Sequence, residues 1–262
     1  MDLEREQRGF VQLLTLNRPK AANSLDPSLL GDLGRAFAEI ADDDDTRVVV
    51  MTGAGDRVFC AGMDLKAFSE QSAKPADAPP PEAGSEGGGG QGFNLFQNPC
   101  PKPIIAAVNG AAVGGGFELV LACDLAVAAD NARFGLPEVK RGLLAGGGGT
   151  LLGTRLPLAL ALEIALTGEY IDASRAADLG LVNRVVPADQ LIESSLELAA
   201  IIAANGPLAI QTTKELTRRA VLEDPKSGWA RPDEIARVFG SDDAKEGAVA
   251  FLEKRAPNWT GH

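Results

Sequence analysis

The sequence predicts an α/β protein with a helical C-terminal region, and two features of the chain support that fold class. In the first half, short apolar segments alternate with a helical pattern, which is the order typical of a parallel sheet. Beyond Pro187, apolar residues recur only at helical spacing. The 262 residues fit one large domain with an appendage, and we place the division between 1–200 and 201–262.

The individual elements follow in chain order. Predicted strands span 10–16, 48–51, 104–108, 125–129 and 182–186. The first predicted helix begins after Pro27, and two others span 117–122 and 157–166. A short helix ends near Gly180, and four more span 191–204, 207–221, 232–239 and 242–255. Segment 71–92 is rich in Pro, Ala, Ser and Gly, so we predict a mobile surface loop there, either a spacer or a lid.

Composition and charge exclude several classes of protein. The formal net charge is -11, which disfavours nucleic-acid partners and electrostatic attraction to anionic membranes. The first residues show no signal peptide, and the most apolar helical segment, 156–166, is too short to span a bilayer. Three cysteines without metal-ligand spacing indicate free thiols in a reducing compartment, so we expect a cytoplasmic protein.

The histidine content narrows the chemistry further. The only histidine is His262, the last residue. Ser-His-Asp and Cys-His enzymes need a firmly held imidazole, and zinc hydrolases usually need histidine ligands. Acid-base chemistry is therefore expected from carboxylates, Lys, Tyr or Cys, and we expect no metal.

Three glycine-containing turns, at 59–65, 109–119 and 134–149, each follow an apolar strand. In the second turn, three glycines at a helix start can leave backbone N–H groups free beside the positive end of the helix dipole. Such donors stabilise negative charge on a carbonyl oxygen. The same glycines can also serve only to let the helix pack closely against a strand.

Two glutamates accompany these turns. Glu118 falls in the first helical turn and Glu138 follows a proline in a loop. Taken singly, Glu118 can complement the helix dipole and Glu138 can be a solvated surface charge. Together they can form an acid-base pair if their environments separate their pKa values.

Seven segments of the chain resemble the crotonase family, the enoyl-CoA hydratase and isomerase superfamily. They read LNRPKA (16–21), FCAGMD (59–64), IAAVNG (105–110), GGGFEL (114–119), CD (123–124), FGLPE (134–138) and FLEKR (251–255). Each segment alone is weak, but they occur in the family order and cover nearly the whole chain. The resemblance implies a spiral core of ββα units over 1–200, which holds the CoA and catalytic site. It also implies a helical region over 201–262 that takes part in trimer formation and covers CoA.

The resemblance also implies roles for individual residues. Glu118 and Glu138 fall on the two catalytic positions of the hydratases, and the N–H groups of Met63 and Gly115 fall on the oxyanion hole. The implied substrate-binding residues are Ala61, Met63, Asp64, Leu65, Lys66, Gly115 and Gly146. Phe251 and Lys254 fall where the tail of a neighbouring subunit can touch CoA.

The resemblance to hydratases implies addition of water to a trans-2-enoyl-CoA, giving a 3-hydroxyacyl-CoA, with no metal or other cofactor. The implied partners are the acyl-CoA thioester and further copies of the chain, in a homotrimer or homohexamer. Alternatives are an enoyl-CoA isomerase, a carnitinyl-CoA-type dehydratase or a non-catalytic acyl-CoA-binding protein. Isomerases of the family usually need one carboxylate, so the two glutamates favour hydration. Ala145, Lys140 and Arg141 depart from the pattern of many family members, which leaves the acyl group open.

Overall fold

The computed structural model describes residues 2–64, 95–96, 100–223 and 231–262. The predicted loop at 71–92 lies outside these ranges, and so do Leu65 and Lys66. Those three predictions therefore receive no structural account.

Six strands form the main sheet. In spatial order they are β1 (Leu3–Arg8), β2 (Val11–Leu16), β3 (Val48–Gly53), β5 (Ile104–Val108), β7 (Leu125–Ala129) and β10 (Arg184–Val186). All neighbours pair in parallel except β1, which runs antiparallel to β2. The five strands from β2 to β10 are the predicted ones, and the parallel sheet is confirmed.

A second sheet consists of short strands. In spatial order they are β4 (Val58–Cys60), β6 (Ala111–Val113), β8 (Arg133–Gly135) and β9 (Ile171–Asp172). The first three each follow a main-sheet strand within a few residues, so the chain passes repeatedly from the large sheet to the small one. This repeated strand pair, with helices between, is the ββα spiral core that was predicted.

Eight α-helices complete the described part of the chain. They are α1 (Pro27–Asp42), α2 (Gly115–Ala122), α3 (Leu158–Thr167), α4 (Ala173–Asp178), α5 (Leu191–Ala203), α6 (Pro207–Leu222), α7 (Pro232–Phe239) and α8 (Asp242–Glu253). At the start of α1, the Asp26 side chain accepts a hydrogen bond from the Leu29 N–H, and Pro27 occupies the first turn. The bounds of these helices confirm the predicted helices to within a few residues.

The main sheet buries both faces. Because side chains alternate along a strand, Leu14 and Leu16 face the cluster that contains α1 and α2, while Val11 and Leu13 face α5. The predicted division near residue 200 falls within α5 and stays a prediction. Within the described ranges, no single helix is long and apolar enough to cross a membrane; one pair bent by 105°, Ala188–Ala203 with Pro207–Leu222, meets that criterion only when combined.

Candidate active site

Helix α2 is the foundation of the candidate site, and all eight of its residues are buried. A Cβ on Gly116 would lie 2.0 Å from the carbonyl oxygen of Cys60, so only glycine lets the helix approach β4 this closely. Gly114 precedes the helix with φ +56°, and its N–H donates to the Gly135 carbonyl at 2.9 Å. The glycines thus fix where the helix begins relative to both neighbouring strands.

The segment that carries Met63 is held beside this helix by Leu25. The Leu25 N–H donates to the Gly62 carbonyl at 2.8 Å, and the Asp64 N–H donates to the Leu25 carbonyl at 3.0 Å. Because successive backbone groups of an extended segment point to opposite sides, the N–H of Met63 faces away from the Leu25 backbone.

The backbone nitrogens of Met63 and Gly115 lie close to each other. A Cβ on Gly62 would lie 2.9 Å from the nitrogen of Gly115, and one on Gly115 would lie 3.5 Å from the nitrogen of Met63. Gly115 is the first residue of α2, where N–H groups have no acceptor within the helix and the dipole adds positive charge. The two predicted oxyanion-hole donors are therefore adjacent.

Glu118 is buried in the first turns of α2, with 5% of its surface exposed. One carboxylate oxygen accepts a hydrogen bond from the Gly149 N–H at 2.8 Å, and the Gly147 N–H donates as well. Burial raises the pKa of Glu118 above its ordinary value; the Gly149 N–H opposes that shift, and the charge of Glu138 adds to it. The carboxyl group is thus held by backbone donors in an apolar surrounding.

Glu138 approaches the same region from a 3-10 helix, Pro137–Arg141. A Cβ on Gly114 would lie 2.9 Å from its Oε1 atom, so the carboxyl group rests at the start of α2. Its Oε2 atom is buried and receives no hydrogen bond from any residue that the structure describes. Burial raises the pKa of Glu138, while its own N–H and the charge of Arg141 oppose that shift.

The structure therefore brings together four of the predicted groups: two backbone N–H donors and two carboxyl groups with raised pKa values. Such an arrangement can hold a carbonyl oxygen on the N–H groups while the carboxyl groups exchange protons with nearby atoms.

The structure gives other surroundings to three further predicted site residues, Ala61, Asp64 and Gly146. The Ala61 N–H donates to the Ala22 carbonyl at 3.1 Å, and the Asp64 carboxylate accepts from Ser24 at 3.3 Å. Gly146 is exposed and belongs to the loop before Gly149. Their roles in binding substrate stay predictions.

Phe251 and Lys254 lie at the end of α8, in the C-terminal helical region. Phe251 is 82% exposed, and Lys254 is exposed with φ +55°. A contact with CoA bound to a neighbouring copy of the chain stays a prediction for both.

Two backbone donors and one aromatic ring were missed by reasoning from the sequence. The run of four glycines at 146–149 was noted, but only Gly146 was selected, whereas Gly147 and Gly149 supply the donors to Glu118. A Cβ on Gly147 would also lie 3.0 Å from a ring carbon of Phe96. The glycine run was the available signal for these donors, and no pattern in the sequence pointed to Phe96.

Comparison with known protein families shows which family the chain belongs to. A family model described as enoyl-CoA hydratase/isomerase matches residues 6–262. The chain belongs to the enoyl-CoA hydratase/isomerase family, which confirms the crotonase resemblance. Its relatives include proteins named carnitinyl-CoA dehydratase and solved structures named enoyl-CoA hydratase.

Carnitinyl-CoA dehydratase of Proteus mirabilis is 43% identical to this member of the family over 260 residues, covering 97% of the chain and 96% of the relative. The enzyme of the same name from Escherichia coli K12 is 42% identical over 263 residues, covering 97% of each. Among solved structures, the enoyl-CoA hydratase from Mycobacterium tuberculosis H37Rv superposes with a TM-score of 0.88 at 44% identity, covering 100% of this chain and 99% of that chain.

Proposed function

We propose that this protein catalyses the reversible addition of water to a trans-2-enoyl-CoA, giving a 3-hydroxyacyl-CoA, with Glu118 and Glu138 as the acid-base pair. The observation that carries the proposal is that Met63 and Gly115 lie side by side at the start of α2, with the Glu138 carboxyl group against Gly114 and the Glu118 carboxyl group held by the Gly149 N–H. Burial raises the pKa of both groups, so each carboxyl group can hold a proton at a higher pH than an exposed one can.

In the hydration direction, Glu118 takes a proton from water while the water oxygen forms a bond to the β-carbon. The π electrons of the double bond move toward the thioester, and negative charge develops on its carbonyl oxygen. The N–H groups of Met63 and Gly115 stabilise that charge. Glu138 then delivers its proton to the α-carbon, which completes the addition of one water molecule.

The hydrogen bonds around the two carboxyl groups support this division of roles. Backbone N–H donors favour the ionised form of Glu118, which the base requires. The buried Oε2 atom of Glu138 has no donor among the described residues, which favours the protonated form that the acid requires. In dehydration the same groups exchange roles. The scheme uses no metal and no cofactor beyond the CoA of the substrate.

The relatives named carnitinyl-CoA dehydratase favour a second candidate, the dehydration of a 3-hydroxyacyl-CoA that bears a quaternary ammonium group. It requires the same acid-base pair and differs only in the acyl group. Isomerisation of a 3-enoyl-CoA requires a single carboxyl group, so the presence of two supports hydration or dehydration instead.

We also propose a homotrimer or homohexamer in which the end of α8 reaches CoA bound to a neighbouring copy. The high exposure of Phe251 and the exposed position of Lys254 support this, because an aromatic side chain that lies open in one chain is available to another. A cytoplasmic location stays a prediction.

The proposal is tested with a panel of thioesters in both directions. Hydration of crotonyl-CoA and longer 2-enoyl-CoA substrates removes the absorbance of the conjugated thioester, and dehydration of carnitinyl-CoA creates it. We expect turnover of at least one 2-enoyl-CoA or 3-hydroxyacyl-CoA. Turnover confined to the ammonium substrate would select the second candidate, and double-bond migration without exchange of water oxygen would overturn both.

The oxyanion hole is tested by Gly115→Pro, because proline fits the first position of a helix but has no N–H. We expect kcat to fall by about 10²–10³-fold for every acyl length, the usual cost of one lost donor. Gly115→Ala is the matched control: it keeps the N–H and adds the same Cβ as proline does, which would lie 3.4 Å from Gly62, 3.5 Å from Leu25 and 3.5 Å from the Met63 nitrogen. A loss restricted to long acyl chains would show that Gly115 serves packing instead.

A further inference from the structure

The side chain of Arg18 lies among three carboxylates next to the segment that carries Met63. One guanidinium nitrogen, Nη2, lies 2.9 Å from Asp26 and 3.5 Å from Asp64, and Nε lies 3.7 Å from Asp2. Only 17% of the Arg18 side chain is exposed, and the carboxylates of Asp26 and Asp64 are about as shielded. Ion pairs shielded to this degree restrict side-chain geometry more than pairs at the open surface do.

The turn that begins at Arg18 has a strained backbone. Ala22 and Asn23 both adopt φ +52°, a left-handed conformation that costs free energy in residues other than glycine. The Asn23 side chain is fully buried: its oxygen accepts from the Arg18 N–H at 3.0 Å, and its nitrogen donates to the carbonyls of Ala54 and Val58. These contacts hold the turn in a conformation that it would not adopt alone.

The turn is joined directly to the segment that carries Met63. Its Ala22 carbonyl accepts from the Ala61 N–H, and Leu25 bonds the residues on both sides of Met63, Gly62 and Asp64. The Arg18 guanidinium also joins the turn to this segment, because it donates to the Ser24 carbonyl and contacts Asp64. The position of the Met63 N–H therefore depends on where this turn is held.

We propose that Arg18 and Asp64 are positioning residues that hold the Met63 N–H on the substrate carbonyl. The inference rests on the proposed function, since it requires a thioester carbonyl at that N–H. Moving a donor by about 1 Å can cost about 10²-fold in rate, so a shielded ion pair that fixes the segment has a measurable effect on turnover.

The charge of the cluster distinguishes this role from direct binding of CoA. Among the described residues, one guanidinium stands against three carboxylates, a balance of charge that does not favour the phosphates of CoA. The Asp64 carboxylate also accepts from the Ser24 hydroxyl at 3.3 Å. Asp64 therefore acts on the substrate through the backbone that it holds.

The test compares Arg18→Met, Arg18→Lys and Asp64→Asn with the wild-type protein. We expect Arg18→Met and Asp64→Asn to lower kcat by about 10-fold or more, with KM for the acyl-CoA within about twofold, because a misplaced donor weakens transition-state binding. Arg18→Lys keeps the charge and should recover part of the loss. Arg219→Met is the matched control, since Arg219 is equally shielded, at 14% exposure, and pairs with Glu234 at 2.8 Å in the C-terminal region.

A spectroscopic measurement separates positioning from a loss of stability. A 3-aryl-2-enoyl-CoA absorbs at longer wavelength when hydrogen-bond donors polarise its carbonyl. Bound to the wild-type protein and to Arg219→Met, this probe should show the full shift; bound to folded Arg18→Met or Asp64→Asn, it should show a smaller one.

Each outcome has a distinct meaning. A full shift and normal kcat in folded Arg18→Met and Asp64→Asn would overturn the positioning role alone. A raised KM with unchanged kcat in Asp64→Asn would also overturn it, in favour of direct CoA binding. If the wild-type protein binds the probe without a shift and turns over no thioester of the panel, the proposed function fails and the positioning role fails with it.

Discussion

Glu118 and Glu138 are the same residue type beside the same helix start, yet their surroundings differ. Glu118 is fixed to the helix and accepts hydrogen bonds from the N–H groups of Gly147 and Gly149. Glu138 belongs to a short 3-10 helix, and its buried Oε2 atom receives no donor from the described residues. The donors around Glu118 stabilise its ionised form, whereas the buried Oε2 atom of Glu138 favours its protonated form.

This difference shows how an acid and a base can be made from identical side chains. Burial raises the pKa of both groups, so burial alone does not assign the roles. The hydrogen bonds do: the Gly149 N–H donates to Glu118, whereas the buried Oε2 atom of Glu138 has no donor among the described residues.

The largest expected effect follows from replacing either carboxyl group, and a second measurement distinguishes the role of Glu118 from that of Glu138. Glu118→Gln and Glu138→Gln should each lower the hydration rate by about 10²–10⁴-fold, the usual contribution of acid-base catalysis, with CoA binding near normal. In D₂O, however, exchange of the α-protons of a saturated acyl-CoA needs a base at the α-carbon and no attack by water. Proton NMR should therefore find exchange retained in Glu118→Gln and lost in Glu138→Gln; the reverse pattern would exchange their roles.

A smaller effect is expected from the donors to Glu118. A Cβ on Gly147 would lie 2.7 Å from its Oε2 atom, so Gly147→Ala must displace the carboxylate and should lower kcat by about 10-fold or more. Gly153→Ala is the control in the adjoining 3-10 helix, Gly149–Thr154, because its Cβ meets nothing within 4 Å. Equal steady-state rates for the two variants would show that the exact placement of Glu118 does not matter.

The smallest effect concerns the pH dependence of kcat/KM. The base must be ionised and the acid protonated, so activity should fall toward low pH through one apparent pKa of the pair and toward high pH through the other. Since both pKa values are raised, the acidic limb should lie above the ordinary value of 4.5. Glu138 is uncharged while it is protonated, so Glu138→Gln should leave the acidic limb in place and remove the basic limb. A basic limb that persists in Glu138→Gln would mean that Glu138 is not the acid.

Most of the fold was predictable because its buried strands and helices carry strong patterns. The strand Ile104–Val108 and the helix Pro232–Phe239 were predicted with the bounds that the structure has. Strand β1 was missed because five of its six residues are exposed, so it shows no apolar alternation. Most strands of the second sheet have three residues, too few to show a period.

The candidate site was predictable only where a side chain or a glycine carries the chemistry. Glu118, Glu138 and Gly115 could be selected because they fall on the catalytic and oxyanion-hole positions of the family. The contact of Asp64 with Arg18 could not, since 46 positions separate them and only the fold brings them together. The donors from Gly147 and Gly149 were missed although the glycine run at 146–149 marked their segment, because the sequence does not show which N–H groups face Glu118.

The groups that we propose to bind the substrate carbonyl belong to the main chain, which has a consequence for how the family can diversify. Every residue except proline retains an N–H, so most point mutations change the shape around the thioester without deleting either donor. Selection can therefore alter the acyl pocket through the loops that surround it and leave the activating step intact. A scaffold of this kind can acquire new substrates by small changes, while its tolerance for change at the packed glycines remains close to zero.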